Sequence, residues 1–248
     1  MMFIKETLKK ILRKISYIPF LVYRVLKYIY PEELKPERKK TLLELKLEEN
    51  LVDETFNNFK DNFKKSLLFT TDDEIRGYAI KTALLNDPKN EYYNLEFGVW
   101  KGDSTNFFSK FTKKLYAFDS LEGLKEDWVG TNAPKGNCNL DKKIPHLNNN
   151  VELIVGWIED TLDIFLKKHN PKINFIHIDV DTYSTTKFIL EKCKPYMVKN
   201  AIIAFDELYN YVGWEHGEYK ALKEIFNENE FQYKAFRINF YRSVIQLK

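Results

Sequence analysis

Three short apolar runs of this 248-residue chain close in carboxylates. Tyr116-Ala117-Phe118 ends in Asp119, His177-Ile178 in Asp179-Val180-Asp181, and Ala204-Phe205 in Asp206-Glu207. Like charges gathered at one mouth of a sheet repel unless a proton, a cation or an ammonium group sits among them. Oxygen ligands on adjacent loops, here Asp179, Asp206 and Glu207, suit a hard divalent ion such as Mg²⁺ that keeps some of its waters. Such an ion stabilises a developing alkoxide, and a carboxylate beside it, for which Asp179 is the candidate, removes the proton of an alcohol. Taken singly, each acid also reads as a solvated loop residue or a helix N-cap, and it is their grouping that favours chemistry.

A fourth run, Tyr92–Val99, carries Glu96 and leads into Gly98-Val99-Trp100-Lys101-Gly102-Asp103-Ser104. Gly98 and Gly102 permit a tight turn and close approach of backbone to a ligand. Asp103 or Ser104 can cap the helix that follows. The spacing is GxxxG, whereas a dinucleotide pyrophosphate site calls for GxGxxG. Asp119 follows Gly98 by 21 residues, where a carboxylate can accept both hydrogens of a ribose 2′,3′-diol. Capping of a turn is the plainer reading of Asp119 alone.

The elements that must position these residues alternate. Apolar runs at Tyr92–Val99, Lys114–Phe118, Val151–Val155, Ile173–Ile178 and Ala201–Phe205 are of strand length. Helical patterns fall at Ser104–Phe111, Ile158–His169, Ser184–Tyr196 and Glu215–Asn229. This order predicts right-handed βαβ units in an α/β, Rossmann-like, mostly parallel sheet. Phe231–Ala235 and Tyr241–Leu247 read as a closing antiparallel pair. Leu121–Asn150 is too long for an ordinary connection and reads as a substrate wall, with Trp128, Pro134, Lys135 and Gly136 as contacts. His177, Tyr209 and Tyr211 are further substrate candidates, although aromatic packing explains each as well. Three segments result: a basic amphipathic helical arm over 1–40, a helical cover over 41–90, and the ligand-binding domain over 91–248. In the cover, Asp72 or Asp73 can cap a helix through Ile75, Tyr78, Ala79 and Leu84.

Charge separates the arm from the rest. Residues 1–40 hold eleven Lys/Arg against four Glu, whereas the other 208 hold 28 basic and 32 acidic side chains. The globular part therefore carries no basic footprint for nucleic acid. Cys138 and Cys193 form no CxxC, so a disulfide framework and a structural zinc site are not expected, and a reducing cytoplasm is the default. In the arm, Phe3, Ile4, Leu8, Ile11, Leu12 and Ile15 recur at helical spacing among Lys9, Lys10, Arg13 and Lys14. Tyr17–Tyr30 is more apolar but falls short of the roughly 20 residues that span a bilayer. Residues 1–30 read either as an interfacial helix on anionic lipid at the inner face of the membrane or as an arm packed on this chain or a second copy of it.

Four blocks in order carry a family likeness. Asn94-Leu-Glu-Phe-Gly-Val-Trp-Lys-Gly-Asp-Ser-Thr105, Tyr116-Ala-Phe-Asp-Ser-Leu-Glu-Gly-Leu124, Gly156-Trp-Ile-Glu-Asp-Thr-Leu162 and Ile178-Asp-Val-Asp-Thr-Tyr-Ser-Thr-Thr-Lys187 resemble the macrocin/mycinamicin-type sugar O-methyltransferases. The likeness runs from about Thr70 to Gln246 and implies a class I methyltransferase fold with S-adenosylmethionine as cofactor. It implies that Glu96, Gly98 and Ser104 surround the methionine end and that Asp119 holds the ribose, with Gly102 and Gly156 also among the cofactor-binding residues; Trp157 reads either as a neighbour of the adenine or as core filler. It implies metal ligands at Asp179 and Asp206 with a further Asp after them, where this chain has Glu207. A sugar or polyol hydroxyl of a glycan or natural-product precursor is the implied acceptor. Two other readings of the residues are a Rossmann-type oxidoreductase and a non-catalytic, membrane-associated cofactor-binding protein.

The arm generates a first prediction. The full chain should sediment with anionic vesicles and release as salt rises from about 0.05 to 0.5 M, because its charge excess is screened over about 10 Å at 0.1 M. A chain beginning at Pro36 should stay folded and lose the binding. Equal behaviour of the two would make the arm a protein-packing element.

Overall fold

The computed structural model describes residues 39–248. Residues 1–38, on which the membrane-surface reading of the arm rests, lie outside the described residues. The chain divides into Met1–Lys46 and Leu47–Lys248. In the first unit, Thr41 Oγ1 accepts the Glu44 N–H at 3.2 Å and Glu44 returns the bond to the Thr41 N–H at 2.7 Å, which starts helix α1 (Leu42–Phe63). No helix among the described residues is long and apolar enough to cross a membrane.

The second unit is an eight-stranded sheet: β1 (Leu67–Phe69), β2 (Tyr93–Phe97), β3 (Leu115–Asp119), β4 (Val151–Val155), β5 (Ile173–Ile178), β6 (Met197–Phe205), β7 (Phe231–Arg237) and β8 (Ser243–Leu247). Their order is β1-β7-β8-β6-β5-β2-β3-β4, and every pairing is parallel except the two made by β8. Helices α2 (Asp72–Asn86), α3 (Asp103–Ser109), α4 (Ile158–His169), α5 (Tyr183–Cys193) and α6 (Glu218–Ile225) accompany them. This is the class I methyltransferase architecture. Neighbouring residues feed opposite faces, as the period of a strand requires. Phe175, Ile202 and Val244 enter one core with Ile75, Ile80 and Phe108, while Ile176, Ile203 and Ile245 enter the other with Phe59, Phe97 and Phe118.

Three local expectations change. Leu67–Phe69 pairs in parallel with β7 where the pattern predicts helix; three residues are too few to show an alternation. The cap of α2 is Thr71, in a capping box with Glu74, and Asp72 and Asp73 follow it in the first turn. Helix α3 is preceded by Gly102 at φ 85°, so neither Asp103 nor Ser104 caps it. Phe59 of α1 sits edge-on to Tyr209, Tyr219, Tyr233 and Phe236, which seats the second half of that helix on the core. Cys193 is buried as filler.

Strand order reverses around β2: the chain runs from β2 outward to β4, then returns to β5 on the other side. Such a switch point opens a crevice beyond the C-terminal strand ends.

Candidate active site

The ladder runs one residue past the strands. Gly98 N–H donates to Phe118 O, Asp179 N–H to Phe97 O and Asp206 N–H to Ile178 O, each at 2.9 Å. A Cβ on Gly98 would lie 1.7 Å from the Asp179 carbonyl oxygen, so only glycine lets these loops meet. The turn continues through Trp100 at φ 45° to Gly102, where a Cβ would strike the Leu147 side chain at 2.7 Å.

Asp119 stitches this turn in place. Its Oδ2 accepts the N–H groups of Val99 and Trp100 at 2.7 and 2.9 Å, and its Oδ1 accepts that of Leu121 at 2.6 Å. Of its four lone-pair directions three serve the protein, which leaves one on Oδ1 for a ligand hydroxyl.

A cleft of about 540 Å³ opens there. Gly98, Ser104, Asp119, Trp128, Trp157, Asp179, Asp206 and Glu207, all expected from sequence, line it. The remaining candidates do not. Glu96, Gly102 and Tyr211 are buried and Gly156 is half-buried, and the Lys135 N–H is held on the exposed loop by Asp127 at 2.8 Å. Tyr209 is buried, its hydroxyl donating to Arg237 O at 2.9 Å. His177 is buried between Glu96 Oε1, 3.0 Å from its Nδ1, and Asp206 Oδ1, 3.4 Å from its Nε2.

The long loop is folded on itself without helix or strand. Leu124 N–H donates to Asn137 O and Leu124 O accepts from Gly136, while Trp128 N–H donates to Ala133 O. Lys125 pairs with Glu159 at 3.1 Å, and the Ser184 hydroxyl donates to Glu126 at 2.7 Å. Asn106 holds the far end by donating to His146 O at 2.8 Å. Trp128 thereby lines the cleft, as do Trp100, Phe240 and Tyr241.

The acids divide into one compensated group and several uncompensated ones. Asp206 accepts from Arg242 Nε at 2.5 Å and Nη2 at 2.7 Å, with Arg76 Nη2 at 3.3 Å. Burial opposes its charged form, but the bond from His177 and the Arg242 charge outweigh this and hold its pKa far below the usual range. Arg242 also binds Asp72, and Phe240 lies 4.6 Å from each of Arg237 and Arg242. Burial lowers His177, yet its bonds to Asp206 and Glu96 prevail and push it up to about 9. By contrast, burial and the nearby Asp206 raise Asp179 well above normal and Asp181 to about 7. Burial, Asp206 and Asp179 raise Glu207 likewise.

Carboxylate oxygens of Asp179, Asp181 and Glu207 lie within 4.8 Å of one another, as do atoms of His177, Asp179 and Asp206. Glu207 Oε2 is buried without a hydrogen-bond partner among the described residues. Hard oxygen donors with uncompensated charge fit a divalent cation. The narrow turn at Gly98, with one lone pair left on Asp119, fits a ribose-bearing ligand.

Asp181 and Arg242 are not among the residues singled out from sequence. Asp181 had a signal, two positions beyond Asp179 in Asp-Val-Asp. Arg242 had none, since it comes from the connection between β7 and β8.

Residues 95–208 match a family model described as a methyltransferase domain. No curated protein matches the chain. Among solved structures, the calicheamicin methyltransferase CalS11 is 19% identical over 84% of this chain and 94% of its own, at a TM-score of 0.57. An apo structure of CalS11, described as a TDP-rhamnose 3′-O-methyltransferase, is 18% identical over 84% and 96%, at 0.52. The O-methyltransferase NovP is 16% identical over 71% and 78%, at 0.51. The crevice thus lies largely within the matched stretch, and the fold is the one these methyltransferases share.

The buried imidazolium yields a prediction. The pKa of His177 in the fold, about 9, exceeds its ordinary 6.5, so its stabilisation is complete below about 6.5 and lost as pH rises through about 9. Thermal melts across that window should show wild-type stability falling by on the order of 3 kcal/mol relative to His177→Gln. Parallel curves for the two proteins would refute the buried charge.

Proposed function

We propose that this protein is an S-adenosylmethionine-dependent O-methyltransferase acting on a hydroxyl of a sugar or polyol-like precursor. The observation that carries this reading is a single cleft that joins the Gly98/Asp119 turn to the Asp179–Asp181–Glu207 acids. Gly98 and Ser104 would face the methionine end, Asp119 Oδ1 a ribose hydroxyl, and Trp157 the adenine. S-adenosylmethionine supplies an electrophilic methyl group. Asp179 and Glu207 would hold Mg²⁺, which supplies charge to stabilise an alkoxide; Asp206, neutralised by Arg242, backs them.

The chain's own work is to orient the acceptor and take one proton. Trp100, Trp128, Phe240 and Tyr241 offer aromatic walls to the C–H faces of a sugar ring, while the acids address its hydroxyls. Asp181 is half-buried, faces the cleft, and titrates at about 7. It suits a base at neutral pH better than Asp179, whose carboxylate lies within 4.8 Å of both Glu207 and Asp206. The likeness to CalS11, described as a TDP-rhamnose 3′-O-methyltransferase, supports sugar hydroxyls as the acceptors to try first.

The test is release of S-adenosylhomocysteine from S-adenosylmethionine with nucleotide-linked and free sugars. Chelation should abolish turnover and leave cofactor affinity unchanged. Asp181→Asn should lower kcat at least about 100-fold at saturating metal, whereas Asp179→Asn should be partly rescued by excess Mg²⁺. Full activity after exhaustive chelation would remove the metal from the account. Full activity of Asp181→Asn would remove the base.

A further inference from the structure

Behind Glu207 lies another acid that the reaction above does not use. Glu218 opens α6, is completely buried, and accepts the Glu207 N–H on Oε2 at 3.0 Å. Its Oε1 has no partner among the described residues, and neither has Glu207 Oε2. A carboxylate is favoured at a helix start by the dipole, but that benefit is available at the surface and does not require burial. Removing a carboxyl from water is costly unless its bonds repay it. Here the protein-made bond to Glu218 goes to the backbone of a cleft acid.

The surroundings are shaped to keep Glu218 in place. Gly217, immediately before it, has no room for a side chain, because a Cβ would lie 2.2 Å from the Tyr211 hydroxyl. Tyr211 is in turn covered edge-on by Trp128 at 5.6 Å. Glu207 has one more rotatable bond than the aspartate that the family resemblance places at this position. Aiming its carboxyl at Asp179 and Asp181 therefore costs more rotamer freedom. Anchoring the Glu207 backbone removes part of that freedom.

We propose that Glu218 is a positioning residue for Glu207: by accepting its N–H it fixes the backbone from which the Glu207 carboxyl reaches the Asp179–Asp181 pair. The inference deepens the methyl-transfer reading and rests on it for the consequence in turnover.

The experiment measures Mn²⁺ affinity by electron paramagnetic resonance on the full chain, with S-adenosylhomocysteine affinity and kcat alongside. Glu218→Gln keeps an oxygen for the Glu207 N–H and should bind Mn²⁺ within about threefold of wild type. Glu218→Ala should bind it about 10–100-fold more weakly, with a matching fall in kcat and unchanged cofactor affinity. A merely structural role would weaken cofactor binding as well and would not be rescued by Gln. Unchanged Mn²⁺ affinity in Glu218→Ala overturns the inference. If wild type binds no Mn²⁺, the metal assignment fails instead. Positioning is then decided by a kcat cycle of Glu218→Ala with Glu207→Gln: non-additive losses uphold it, and additive ones overturn it.

Discussion

Asp206 is buried with both carboxylate oxygens on the Arg242 guanidinium, and Arg76 and His177 close the remaining sides. Breaking such an arrangement by removing one partner typically costs about 3–5 kcal/mol, because a charge is left buried and unpaired. The rest of the site follows from it. Arg242 begins where β7 and β8 meet, so the closing antiparallel pair must dock at the sheet's mouth for Asp206 to remain ionised. Asp72, at the start of α2, binds the same guanidinium and Arg237, tying the opposite flank to that point. Glu96 extends the chain of alternating charge through His177 into the centre of the sheet.

With Asp206 satisfied, the other acids are not. Asp179, Asp181 and Glu207 face the cleft with neutral forms favoured by burial and by one another. The sheet thus delivers a compensated carboxylate as scaffold and uncompensated ones as chemistry, side by side. The glycine turn lies one strand away, and Asp119 fixes that turn through two of its backbone N–H groups, those of Val99 and Trp100. The glycine turn and the cluster of acids are therefore held by different carboxylates, through different contacts.

Much of this was legible in sequence because local rules govern it. The period change after Asn90 placed the parallel strands and the antiparallel pair, and GxxxG placed the turn. Strand-end position picked out Asp119, Asp179, Asp206 and Glu207. What was not legible depends on contacts distant in sequence. Nothing near Arg242 announces a partner 36 residues earlier. His177, Tyr209 and Lys135 looked like substrate contacts because residue type says nothing of the side of a wall on which a side chain falls. Asp119 appeared free for a ribose diol, whereas most of its lone pairs are taken by backbone. Thr71, rather than the aspartates beside it, caps α2, since Ser/Thr and Asp compete for that position and geometry decides.

The most direct test of the central claim, that the crevice at Gly98 and Asp119 is a cofactor site, is calorimetric titration of the folded chain with S-adenosylhomocysteine. One site per chain is expected, with micromolar affinity, about −8 kcal/mol. Asp119→Ala should weaken it by about 1.5–3 kcal/mol. A folded protein that gives no heat with either S-adenosylhomocysteine or S-adenosylmethionine would contradict the account.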